Sequence, residues 1–208
     1  MKFILLFYTL LFTTTYFAQQ YDPFEGEFIY SVELIHPETK KAKFISFTTI
    51  ITNDTLLRTE SESPSLGKQT LIKHLQLSKQ YVLIDYQGKK YAIQQNLGKD
   101  TTISKYTFTT CYGSKKIGGI RAKKIMVSHP NFKEPIAMYY AKNLNPIYLN
   151  IFKDIPGLPI QYFIQTEVGL LCYTLREFSK KEVPSTVFTF GKEYEKISFN
   201  EFLDRISK

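Results

Sequence analysis

The chain has 208 residues, 43% hydrophobic and 22% charged, which excludes a disordered chain and fits one domain with a buried core. Its net charge of +8 comes from 23 Lys and only 4 Arg. Because nucleic-acid readers rely on the planar fork of Arg, this balance argues against a nucleic-acid partner. The Lys pairs lie mostly beside turn signals, where they keep sheet edges soluble. The alternative is attraction to an anionic membrane or polysaccharide surface.

Residues 1–18 have the pattern of a secretory signal peptide. Lys2 supplies the positive charge, Phe3–Phe12 the apolar core and Ala18 the small residue before a polar break. The core is shorter than the about 20 apolar residues that a membrane-spanning helix needs. We therefore predict cleavage after Ala18, leaving residues 19–208 as a single domain in the periplasm or secreted. We expect neither a later transmembrane span nor a lipid anchor.

Alternation of apolar and polar residues predicts strands over most of the remaining chain. The 17 Phe and 15 Tyr favour the same conformation, since aromatic residues fit pleated, half-buried surfaces. Turn signals at Asn53-Asp54, Gln87-Gly88 and Gly118-Gly119 separate consecutive strands. The predicted strands lie at 28–34, 44–52, 55–60, 71–77, 81–86, 90–93, 101–110, 120–127, 136–141, 160–166, 170–178 and 186–190.

One helix is predicted at the end of the chain. Ser198 and Glu201 have the spacing of a capping box, and Ile197 with Phe202 forms the matching hydrophobic staple. An apolar stripe follows at Phe199, Phe202, Leu203 and Ile206. A second short helix is expected around 144–152. The fold class is therefore mainly β, a single domain of about ten antiparallel strands with one or two short helices.

A search for catalytic motifs gives no catalytic residue, no cofactor and no metal site. The nucleophile elbow, the zinc helix and the glycine-rich phosphate loop have no counterpart in the sequence. Ser65 and Lys68 match Ser-x-x-Lys, but the companion motifs are missing. His36, His74 and His129 lack metal-ligand spacing and are expected on the polar surface. We expect a non-enzymatic protein.

Two cysteines, Cys111 and Cys172, leave two possibilities open. In an oxidising compartment an even number of cysteines favours a disulfide. Free Cys is also among the residues most often buried. The sequence does not decide between a Cys111–Cys172 bridge and two free thiols.

Several short motifs occur in an order that is typical of a known group of families. They run from the beginning of the chain that remains after the predicted cleavage to the start of the predicted helix. Among them is the corner at Asp154–Ile160, where two prolines flank a glycine and stiffen the turn. The motifs lie at 24–30, 81–85, 90–93, 116–124, 136–144, 157–160 and 188–198.

In these motifs the chain resembles exported bacterial families of unknown function of the GLPGLI type, similar in layout to the outer-membrane lipoprotein carrier fold. Pro159-Ile160-Gln161 departs from the rest of that signature, and Ala122 stands where relatives often have Cys. The resemblance implies a strongly curved antiparallel sheet, or half-barrel, wrapped around helical elements. It implies no activity.

A curved sheet rich in Phe and Tyr suggests a carrier that holds a lipid, an acyl chain, an apolar peptide or a lipoprotein's lipid in its concavity. The same side chains fit a filled core equally well, since aromatic stripes on strands are usually core. The second hypothesis is a secreted or envelope-associated module that binds a protein partner and no small molecule. An enzyme ranks third. The candidate lining residues are Tyr81, Leu83, Met138, Tyr140, Leu158, Ile160 and Tyr162.

Overall fold

Twelve strands form one open, curved sheet in the computed structural model, which describes residues 21–36, 38–63, 67–77, 79–96, 106–149, 152 and 155–207. The predicted signal peptide at 1–18 lies outside the described residues. The strands are β1 (Glu25–Ile35), β2 (Ala42–Asn53), β3 (Leu56–Ser63), β4 (Gly67–His74), β5 (Lys79–Tyr86), β6 (Lys89–Asn96), β7 (Thr107–Ile117), β8 (Ile120–Ser128), β9 (Ile136–Ala141), β10 (Leu158–Thr166), β11 (Gly169–Lys180) and β12 (Glu195–Ser198).

The strand order joins two runs of consecutive hairpins. The order is β12-β6-β5-β4-β3-β2-β1-β11-β10-β9-β8-β7, and the long antiparallel pairing of β1 with β11 connects the two runs. β12 alone pairs in parallel among the described strands, along β6. The predicted class is confirmed: a mainly β single domain with a curved, predominantly antiparallel sheet and a helix, α1 (Phe199–Ile206), at its end.

The hairpin turns form where the sequence predicts them. Gln87 and Gly88 both have positive φ, 52° and 75°, as a two-residue turn between twisted strands requires. Gly118 and Gly119 repeat this geometry at 53° and 81°. At the β2–β3 turn, Asn53 Oδ1 accepts from the amides of Thr55 (3.2 Å) and Leu56 (2.8 Å). Local side-chain chemistry therefore sets these connections.

The side chains divide between two faces of the sheet, following the alternation along each strand. We call inner the face that carries Phe28, Ile50 and Ile125, and outer the face that carries Ile72 and Leu83. The inner face holds the main hydrophobic cluster. It also holds a smaller cluster under α1, built from Ile84, Tyr91, Ile93, Ile197 and Phe202. The outer face holds a third cluster of Ile72, Leu83, Ala92, Val183 and Phe188.

One prediction about local structure was wrong, and another was met by a 3-10 helix. The strand expected at 186–190 is a 3-10 helix at Ser185–Phe188. Its amides bond three residues back, Val187 to Pro184 (3.0 Å) and Thr189 to Thr186 (3.2 Å), so they are not available to a neighbouring strand. The second short helix expected around 144–152 is present within that range as a 3-10 helix, at Pro146–Leu149.

Helix α1 begins as predicted. Ser198 Oγ accepts from the Glu201 amide (3.2 Å), and Glu201 accepts from the Ser198 amide (2.6 Å). The expected apolar stripe is only partly covered, because Phe202 packs between Tyr86 and Tyr91 while Phe199 and Leu203 stay 47% and 42% exposed. No helix among the described residues has the length and apolar character needed to cross a bilayer.

Candidate functional site

The structure does not bring the seven predicted lining residues together. Five of them lie within the main cluster on the inner face, each less than 7% exposed: Met138, Tyr140, Leu158, Ile160 and Tyr162. Leu83 belongs to the outer cluster, and Tyr81 packs at its border. The two groups therefore occupy opposite faces of the sheet.

The inner face is filled by a segment of the chain itself. We call residues 142–149, 152 and 155–157 the inner segment. Its buried side chains are Tyr148, Leu149, Phe152 and Ile155. The ring of Phe152 meets Tyr106 and Tyr162 edge to face, with ring centroids 5.0 Å and 5.7 Å apart.

Hydrogen bonds hold the inner segment in place. The Tyr148 hydroxyl donates to Asp54 at the β2–β3 turn, and the Leu158 amide donates to the Leu144 carbonyl over 2.9 Å. At the corner, Gly157 lies so close to β9 that a Cβ would overlap the Ala141 carbonyl oxygen. Beneath it, the Tyr30 hydroxyl donates to the Pro159 carbonyl over 2.8 Å, and burial raises the pKa of Tyr30. Around Met138, Leu158, Ile160 and Tyr162, where space for a ligand was expected, the chain's own side chains are packed.

Both cysteines are free in the structure. Cys111 lies in an irregular part of β7, whereas Cys172 is buried on β11, with its Sγ 3.6 Å from Thr174 Oγ1. Burial raises the pKa of the Cys172 thiol, and this disfavours the thiolate that disulfide exchange needs. The bridge that the sequence left open is not formed here.

The three histidines use one ring nitrogen each in a local turn. Nδ1 of His36, His74 and His129 accepts from the backbone amide two residues further on, over 3.2–3.4 Å. Within the described ranges, no three His, Cys, Asp or Glu side chains come together as metal ligands.

A cleft of about 570 Å³ opens on the outer face between β4, β5 and the chain that follows β11. We call residues 181–194 the outer segment. It supplies Phe188, Phe190 and Tyr194 to the cleft, and the sheet supplies Leu56, Ile72 and Tyr81. Tyr81 and Phe190 stand 5.2 Å apart at 58°, and Phe190 and Tyr194 meet at 5.9 Å and 75°. Its walls are therefore aromatic and aliphatic.

The rim of this cleft is basic. The residues that line it are Lys79, Lys192, Lys196 and His74 together with Thr189 and Gly191, and no carboxylate in the described part of the chain does so. The Lys196 ammonium lies 5.6 Å from the ring centre of Phe190. The carboxylate of Glu193 packs against Gly191 without lining the cleft. An apolar hollow with positive charge at its mouth suits a ligand with an apolar body and an anionic end.

Polar contacts fix the outer segment at its start and its middle. Glu25 accepts from the Val183 amide (2.6 Å), and Lys181 pairs with Glu27. Arg58 donates to the Val187 carbonyl (3.0 Å) and pairs with Glu60 (2.8 Å). Burial raises the pKa of Glu60, but the hydrogen bond and charge of Arg58, with the charge of Lys68, outweigh it and leave that pKa below its ordinary value.

Of the residues that line the outer cleft, only Tyr81 was predicted from the sequence as a lining residue. Phe188 and Phe190 stood in a predicted strand, and Tyr194 stood in a motif without an assigned role. The available signal was the alternation of aromatic residues with Lys192 and Lys196 after Pro184, which is unusual for a buried strand.

No protein-family model and no curated protein matches the chain. Among solved structures, it is similar to PNGF-II in the P21 space group, with a TM-score of 0.53 and 15% sequence identity. The alignment covers 89% of this chain and 34% of the PNGF-II chain, so this chain spans about a third of that protein. At this identity the likeness concerns the fold alone.

Proposed function

We propose that this protein is an exported, non-enzymatic binding protein whose ligand is an amphipathic anion held in the outer cleft. The observation that carries the proposal is the pairing of aromatic walls with a rim of three lysines, with no carboxylate among the lining residues that the structure describes. The volume of about 570 Å³ lies within the range of small-molecule sites. An acyl chain with a carboxylate or phosphate end has this chemistry.

Affinity would come mainly from the apolar body of the ligand. Each methylene removed from water contributes about 0.8 kcal/mol. The rim lysines are exposed, so each charge contact contributes about 1 kcal/mol or less and weakens as salt rises. We therefore expect the chain length of the ligand to dominate affinity and its charge to add selectivity.

Calorimetric titration with octanoate, 1-octanol and acetate tests this proposal. Octanoate should bind tightest at low salt, 1-octanol about fivefold more weakly and acetate not measurably. Phe190→Ala should weaken octanoate binding by about tenfold, because it removes one aromatic wall. Phe199→Ala is the matched control, since Phe199 is exposed on α1, away from the cleft. Equal binding of octanoate and 1-octanol, or equal losses in both variants, would contradict the proposal.

Export is part of the same proposal and rests on residues 1–18. Amino-terminal sequencing of protein recovered from outside the cytoplasm should begin at Gln19. Recovery from the cytoplasm of a chain that still begins at Met1 would overturn it.

A second candidate function is a protein-interaction module. The rings of Phe44 and Phe47 lie 5.0 Å apart and are tilted by 58°, and the two residues are 51% and 55% exposed. They lie in the part of β2 before Thr49, where β3 pairing begins, so one edge of the strand is unpaired among the described residues. A partner captured from the envelope by the unmodified chain and lost with Phe44→Ser/Phe47→Ser would favour this function. Capture that is equal in both would count against it.

A further inference from the structure

A second cleft, of about 920 Å³, lies beside the inner segment, far along the sheet order from the outer cleft. It is bounded by β7 and β8 on one side and by residues 140–144 on the other. The β7–β8 turn folds towards β11, where a Cβ at Gly118 would stand 2.9 Å from the Leu175 carbonyl oxygen. Phe178 of β11 closes the cleft.

An irregularity in β7 shapes this cleft. Thr110 pairs with Ile125 and Ser114 with Lys123, so three residues of β7 face Lys124 alone. One of the three is Gly113, with φ of +130°, and the alkyl chain of Lys124 runs across it. The extra residues bend the strand away from β8. Lys123 and Lys124 both line the cleft, although they are neighbours in one strand.

Among the residues that the structure describes, the lining carries four cations and no carboxylate. The cations are Arg121, Lys123, Lys124 and Lys142. Arg121 Nε donates to Ser114 Oγ over 3.4 Å. Among the described residues, no acidic side chain pairs with Arg121, Lys123 or Lys124. These three cationic side chains line one cleft without an acidic partner in the described part of the chain, so they create a positive potential there. A bound anion would reduce that potential.

The rest of the cleft is partly apolar. Tyr140, Ile120, Leu144 and Phe178 line it, and Thr110, Ser114 and Asn143 add groups that form hydrogen bonds. Several cationic side chains in one cleft, one of them a guanidinium, suit the several oxygens of a tetrahedral anion better than a single carboxylate. The volume far exceeds that of a bare ion, and the apolar wall leaves room for an organic body.

We propose that this second cleft binds a phosphate or sulfate ester of a small organic molecule. The ester oxygens lie against Arg121, Lys123 and Lys124, and the organic group lies against Tyr140 and Phe178. The site does not depend on the outer cleft, since the two share no residue.

Calorimetric titration of the full chain with phenyl phosphate, phenyl sulfate, inorganic phosphate and phenol tests the proposal. One or both esters should bind at least about tenfold more tightly than phenol and than inorganic phosphate, since both halves of the site are then used. The preferred ester identifies the anion. Binding of the esters that is no tighter than that of phenol or inorganic phosphate would overturn the proposal.

A charge-matched pair of variants locates the binding. Lys123→Gln/Lys124→Gln should weaken binding of the preferred ester by about tenfold or more. Lys40→Gln/Lys41→Gln removes the same charge from the exposed β1–β2 connection and should change it less than about twofold. Equal losses in the two variants would show a general charge effect and overturn the assignment. Octanoate binding to the outer cleft should be unchanged in Lys123→Gln/Lys124→Gln. The proposal for the second cleft can therefore be refuted without refuting the proposal for the outer cleft.

Discussion

The two faces of the sheet are covered by segments of similar kind, each with one short 3-10 helix, but the results differ. The inner segment inserts Tyr148, Phe152 and Ile155 into the main cluster. The outer segment is anchored at Val183 and Val187, and beyond Phe188 it leaves a cleft that Tyr81 and Phe190 line together. Aromatic content alone therefore does not mark a ligand site. What matters is whether the covering side chains reach the sheet.

The largest expected effect separates a filled core from a cleft wall. Phe152→Ala should lower the free energy of unfolding by about 3–5 kcal/mol, because Phe152 is 1% exposed and its removal leaves a cavity. Phe190→Ala should cost about 1 kcal/mol, since its ring already borders open space. Urea denaturation of both variants measures the difference. Equal losses would mean that the two faces are packed alike.

The corner that ends the inner segment gives the next largest effect. Gly157→Ala should cost roughly 3 kcal/mol, because the new methyl group overlaps the Ala141 carbonyl oxygen and forces the backbone apart. Gly88→Ala is the control, with positive φ but no atom within 4 Å of the added Cβ, and should cost roughly 1 kcal/mol. Thermal denaturation of the two variants compares them, and a Gly157→Ala protein as stable as Gly88→Ala would refute the close approach.

Loss of the hydrogen bond between Tyr148 and Asp54, which holds the inner segment to the β2–β3 turn, should lower the free energy of unfolding by a smaller amount. Tyr148→Phe removes the hydrogen bond to Asp54 and should cost about 1.5 kcal/mol. Asp54→Asn keeps an oxygen acceptor and should cost about half as much. Urea denaturation of both variants gives the values. A larger loss of stability in Asp54→Asn than in Tyr148→Phe would contradict this account. It would show that the negative charge of Asp54, and not its hydrogen bond to Tyr148, stabilises the protein.

The smallest effect concerns pH and the anchor of the outer segment. The folded-state pKa of Glu60 is lowered, so its contribution is present above its ordinary pKa near 4.5 and is lost as the pH falls through the lower folded-state value. Stability should therefore decline on acidification below about pH 4.5. Glu60→Gln should flatten part of that decline, which urea denaturation at several pH values measures. An unchanged pH profile in Glu60→Gln would show that the Arg58–Glu60 pair does not contribute.

Local features were predictable from the sequence, and distant pairings were not. The turns at Gln87-Gly88 and Gly118-Gly119 and the cap at Ser198 depend on a few adjacent residues, and all three were confirmed. The parallel pairing of β12 with β6 joins residues about a hundred positions apart, and its four-residue strand is too short to show a period.

The candidate site was harder to predict, because one extra residue in a strand moves every later side chain of that strand to the opposite face of the sheet. Register shifts occur between Ile29 and Tyr30 and between Pro159 and Gln161. At the second shift, Pro159 pairs with Tyr140 and Gln161 with Tyr139, so Ile160 is an extra residue of β10, and it is buried in the main cluster. The outer cleft depends on Phe190 and Tyr194, which no local pattern directs to Tyr81.

Chemical-shift mapping of isotope-labelled protein with octanoate tests most directly whether the outer face is the open one. The largest shifts should fall on Tyr81, Phe188, Phe190 and Tyr194, while Met138, Leu158, Ile160 and Tyr162 of the inner face remain unchanged. Shifts concentrated on those four inner-face residues would show that the inner segment moves aside for the ligand. That result would contradict the assignment of the outer cleft as the binding site.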